Sequence, residues 1–114
     1  MSPTETLPVS QEQLMEAWSA TLPSVLDQSD KFEVHPGDAR SSLRVHIASA
    51  GHSMYSFDFS VTYVDSREVR VELIDVEKAN QSIDERNETI QQLVEDYVRH
   101  LHECAQALHD LTHK

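Results

Sequence analysis

At 114 residues with 39% hydrophobic content, this chain is long enough to bury the core of a single domain and too apolar to be wholly disordered. Its 20 acidic and 9 basic residues give a formal charge of −11, which repels phosphate backbones and anionic headgroups and argues against direct contact with nucleic acid or membrane. One cysteine excludes an internal disulfide framework, and two glycines leave no loop rich enough to cradle a nucleotide phosphate.

Residues 1–9 contain Pro3 and Pro8 and little that could bury, so they read as a flexible tail ahead of one domain spanning 10–114. Ser10 with Gln13 three residues on is a capping-box pattern and predicts a short helix. Leu14, Ala17, Trp18 and Leu22 form its apolar side, with Met15 at the edge. Pro23 limits its regular run, and Val25 and Leu26 allow a further turn before the polar loop 27–30. Trp18, the one tryptophan, is expected to anchor the core because an indole buries so much area.

Lys31 to His35 alternates apolar and polar residues and ends at Pro36-Gly37, the pattern of a short edge strand and a turn. Three clearer strands follow. Leu43, Val45 and Ile47 alternate with Arg44, His46 and Ala48. Tyr55, Phe57, Phe59, Val61 and Tyr63 alternate with Ser56, Asp58, Ser60 and Thr62. Val69, Val71 and Leu73 alternate with Arg70 and Glu72. A period of two with one apolar face marks antiparallel strands that are half buried. Ala50-Gly51-His52 and Asp65-Ser66 are the predicted hairpin links, and 76–81 reads as a polar connection.

The run from Ser82 to His113 has no Gly or Pro. Ile83, Ile90, Val94, Tyr97, Leu101, Cys104, Leu108 and Leu111 recur at helical spacing along it. This predicts one long helix, capped by Ser82 with Glu85. The flanks of the stripe are apolar, small or uncharged instead of oppositely charged, which favours a broad packed face over a coiled-coil seam. The expected fold is therefore α+β: a short N-terminal helix, an antiparallel meander of three to four strands, and a long C-terminal helix on one sheet face. Cys104 lies in the apolar stripe and reads as a buried, inert thiol.

The sequence offers few sites for chemistry. Trp18, Tyr55, Phe57, Phe59 and Tyr63 are candidates to line a small-molecule pocket, although such a row is more often core. His102, His109 and His113 share one flank of the last helix. His109 and His113 have a spacing of four that suits a metal, but no H-E-x-x-H pattern is present and the helix dipole accounts for them more simply. His46 with Asp58 is a conceivable acid–base pair on a polar sheet face. No catalytic residue, metal or cofactor is required by these patterns.

A helix of that length overhangs its own sheet, so either the N-terminal helix with Trp18 and Leu22 covers the excess or a second copy does; the shortness of the first helix favours a homodimer through Tyr97, Leu101, Leu108 and Leu111. The function expected from acidity without catalytic motifs is a non-enzymatic module that binds a protein with a basic surface, of the adaptor, chaperone or inhibitor type. The alternative is a small-molecule or metal-binding protein using the aromatic face or the histidine flank. With a lone cysteine and no long apolar span, the expected location is the cytoplasm.

Overall fold

The computed structural model describes residues 9–26, 30–39, 41–49, 55–65, 68–78, 81–82 and 88–112. Helix α1 (Gln11–Val25) leads into strands β1 (Lys31–Pro36), β2 (Ser42–Ala48), β3 (Tyr55–Tyr63), β4 (Val69–Lys78) and β5 (Gln81–Ser82), then helix α2 (Glu88–Ala107) and a single turn, α3 (His109–Thr112). The strands form one antiparallel sheet in the order β1-β2-β3-β4-β5. Both long helices lie on its apolar face, and the expected α+β fold is the one found. No helix among the described residues is long and apolar enough to cross a membrane.

Local sequence explains the start of α1. The Ser10 hydroxyl accepts from the Gln13 N–H at 3.1 Å and the Gln13 side chain accepts from the Ser10 N–H at 2.9 Å, so two otherwise orphaned donors are satisfied at once. Pro23 sits inside the helix instead of limiting it, and the Leu26 N–H still closes onto Leu22 O at 2.9 Å. Both Ser19, whose carbonyl loses its partner, and Pro23 are exposed, so water can take the missing bond. Gln11 ties this helix to the β1–β2 turn. Its amide donates to Ala39 O and Ser42 O at 2.9 Å each and approaches Gly37 O at 3.3 Å. The turn has no room for a side chain at Gly37, where a Cβ would stand 2.8 Å from the Ser42 carbonyl carbon.

The alternation in β2 and β3 is realised as expected. Leu43, Val45, Ile47, Phe57, Phe59, Val61 and Val69 are buried, and Val71 is half-buried. On the opposite side Arg44, Asp58 and Ser60 are half-buried and Arg70 is exposed. Val9, assigned to the tail, is half-buried against the core; residues 1–8 lie outside the described residues, as do Ala50, Gly51 and His52.

Three expectations need correction. The β3–β4 link is longer than Asp65-Ser66: the last pair is Tyr63 with Val69, and the Asp65 carboxylate accepts from the Glu68 N–H at 2.8 Å. β4 does not stop near Leu73 but continues to Lys78, because a bulge makes Phe59 pair with Leu73 while Asp58 pairs with Asp75. The extra residue, Ile74, shifts the phase, so Val76 turns inward and is buried. Ser82, expected only as the cap of the last helix, pairs with Glu77 in β5. The described part of that helix starts at Glu88, and Ile90 is buried; Ile83 and Glu85 lie outside the described residues.

The described run of α2 has 20 residues and is about 30 Å long, matching the nine- and ten-residue strands beneath it. The expected overhang also counted residues 83–87, which lie outside the described residues. The regular run of α2 ends at Leu108, whose N–H is shared between Cys104 O and Ala105 O at 3.2 Å each.

The register makes a direct prediction for urea denaturation. Phe59→Ala is expected to lose about 3–5 kcal/mol and its neighbour Ser60→Ala less than about 0.5 kcal/mol. Equal losses would contradict the assignment of the two faces.

Candidate functional site

The aromatic residues proposed for a pocket are consumed by the core. Trp18, Phe57 and Phe59 have no exposed surface, Tyr63 is buried and Tyr55 is half-buried. The Phe57 ring stacks on Phe59 at 6.3 Å and meets Tyr97 at 5.3 Å, while Phe59 meets Tyr97 edge-on at 6.4 Å. Rings at these separations fill the space between sheet and α2. Trp18 crosses from α1 to donate its Nε1–H to the Tyr63 hydroxyl at 3.2 Å. Burial pushes the Tyr63 phenol up to about 12, opposed by the Trp18 bond and reinforced by nearby Cys104, whose own buried thiol is also pushed up to about 12. Cys104 is therefore the inert thiol its stripe position implied.

The residues assigned to a dimer stripe divide. Tyr97 and Leu101 are covered by the chain itself, since α1 lies beside α2 and both rest on the sheet. Leu108 and Leu111 are half-buried, Leu108 against the core. In the histidine flank, His102 and His109 are exposed on different helices, and His113 lies outside the described residues. No group of three potential metal ligands occurs among the described residues.

The polar face of the sheet is the most structured surface. Strand register aligns Glu33, His46, Asp58 and Asp75 in one row across β1, β2, β3 and β4. At its centre His46 Nδ1 lies 2.7 Å from Asp58 Oδ1, both groups being about one-third exposed (33% and 38%). With Nδ1–H donating to Asp58, Nε2 is left as the ring's acceptor. This is the pair that the sequence made conceivable. It orients an imidazole, and among the described residues no hydroxyl or thiol is bonded to it.

Next to it lies an open depression of about 470 Å³, lined by Asp30, Lys31, Phe32, Glu33, His46 and Ala48. The neighbouring row contains Arg44, Ser60 and Glu72, with Arg44 held loosely by Asp38 at 3.9 Å. Ile74, lifted by the bulge, stands 46% exposed beside Asp75. Sequence reasoning missed Ile74 because it is the residue that breaks the period-two pattern. No protein-family model, curated protein or solved structure matches this chain.

Burial of Tyr63 and Cys104 contributes to a loss of stability at alkaline pH. The native state holds both protons up to about pH 12, whereas the unfolded groups release them near 10.0 and 9.0. The native state thus binds more protons in that window, so stability contributed below pH 9 declines as pH rises towards 12. Urea midpoints measured from pH 8 upward are expected to fall across this interval. Tyr63→Phe should flatten the upper part of the fall; a decline unchanged by that substitution would contradict the assignment to Tyr63.

Proposed function

We propose that this chain is a non-enzymatic cytoplasmic module that docks a protein partner with a basic surface onto the polar face of its sheet. The observation carrying this reading is the row Glu33–His46–Asp58–Asp75 with Ile74 beside it. Glu33 and Asp58 flank one imidazole, Asp75 extends the row beyond Asp58, and the bulge presents a large apolar side chain at its border. An apolar anchor with a charged rim is the usual anatomy of a protein-binding surface. The overall charge of −11 favours encounter with a cationic partner and suppresses anionic ones. The aromatic residues are committed to the core, which leaves this face as the adaptable surface. A buried, unreactive Cys104 fits a reducing compartment.

A second reading, binding of a small ligand, attaches to the depression beside His46. Its volume lies within the range of ligand sites, but its walls are open and mixed in charge. The two readings separate in one experiment. Native mass spectrometry of protein isolated from its source cells, with and without mild crosslinking, is expected to show a co-purifying basic protein that dissociates as salt rises. Ile74→Asp combined with Asp75→Lys should abolish that complex while leaving the thermal midpoint nearly unchanged. Retention of a small molecule or metal without any protein partner would overturn the docking reading and support the depression.

A further inference from the structure

Among the described residues, β4 has no strand partner along most of one edge. β5 pairs with it only at Glu77 and Lys78, and among the described residues no backbone bond reaches the stretch from Val69 to Val76 on that side. The direction of each peptide group follows from the adjoining turn. The Val64 N–H donates to Glu68 O at 2.9 Å, so, by the alternation of an antiparallel ladder, Thr62 also faces β4 and its partner Arg70 faces back. Glu72 turns the same way as Arg70. Val69, Val71 and Leu73 therefore point their N–H and C=O groups out of the sheet. The bulge at Ile74 ends this regular stretch, leaving Val-Arg-Val-Glu-Leu as an open template for another strand.

Those five residues are complementary to themselves. When two copies pair antiparallel about a two-fold axis through Val71, Val71 meets Val71 as a hydrogen-bonded pair and each Val69 meets a Leu73. All three outward-facing residues of both chains then find partners. On the polar side each Arg70 stands opposite a Glu72, an attractive cross-strand pair formed twice. Moving the axis by one residue destroys this match, placing Arg70 against Arg70 or Glu72 against Glu72. On the apolar side Val71 and Leu73, only half-buried in one copy, gain cover from their counterparts. Because the axis stands perpendicular to the sheet, the helices of both copies remain on one side and the polar faces on the other.

The opposite edge is guarded. β1 has six residues, ends in Pro36, carries Lys31, and has Glu33 already paired to His35 at 3.0 Å.

We propose that the chain forms a two-fold dimer by pairing its β4 edges through Val69–Leu73, giving one continuous sheet. This replaces the helical seam expected from the sequence and is independent of the docking face, which remains uncovered in the dimer.

Sedimentation equilibrium combined with hydrogen exchange on the full chain tests it. The wild-type protein is expected to be dimeric at tens of micromolar, with the Val69, Val71 and Leu73 amides exchanging more slowly as concentration rises. Arg70→Glu and Glu72→Arg should each weaken the dimer by about tenfold, and the two substitutions together should restore it. A wild-type monomer, a dimer indifferent to either reversal, or a combined variant as weak as the single ones would overturn the proposal. The wild-type exchange measurement decides the matter even where a reversal disturbs folding: amides at this edge that ignore concentration also overturn it.

Discussion

The structure depends on burying one indole without stranding its N–H. Trp18 has no exposed surface, and an unpaired donor there would cost about 1–3 kcal/mol. Tyr63, at the far end of β3, supplies the acceptor. This bond fixes where α1 crosses the sheet, while Gln11 fixes its start over the β1–β2 turn. Tyr97 performs a similar task for α2, packing its ring on Phe57 and Phe59 and donating its hydroxyl to Asp30 at 3.2 Å just ahead of β1. Each helix is held by an aromatic side chain whose body lies in the core and whose polar tip is satisfied at the core's edge.

Closing the apolar face in this way determines where function can reside. Of the rings that could have lined a ligand site, Phe57 stacks on Phe59 and Trp18 bonds to Tyr63, and the one thiol and the phenol beside it are held neutral by burial. The proposed partner surfaces are the other side of the sheet and its edge. There the bulge in β4 has two effects: it lifts Ile74 into solvent beside the acidic row, and it limits the unpaired edge to five regular residues. One irregularity thus shapes both surfaces on which the functional reading rests.

Much of the fold was legible wherever neighbouring residues alone decide the outcome. The capping box at Ser10, the alternation of β2 and β3, and the anchoring role of Trp18 all follow from local pattern, and each is present. The sequence misled where a pattern changed phase or a longer-range bond took over. Val76 looked like part of a polar link because Ile74 interrupts the alternation that identified Val69, Val71 and Leu73. Ser82 resembled a cap because the ladder bonds that draw it to Glu77 leave no local trace. The part of the helical repeat counted from Ile83 to Asn87 lies outside the described residues, which begin the helix at Glu88. The candidate site was partly readable: His46 and Asp58 fall on one face by period alone. Their union with Glu33 and Asp75 required the register of four strands.

The central claim is that Trp18 and Tyr63 act as a single unit that seals the core. A double-mutant cycle in urea denaturation, comparing Trp18→Phe, Tyr63→Phe and the combined variant, measures that coupling directly. The account predicts a favourable coupling of about 1 kcal/mol, because either single substitution leaves a buried polar group unpaired and the pair of substitutions leaves none. Losses that simply add would contradict it and show that the two residues are buried independently.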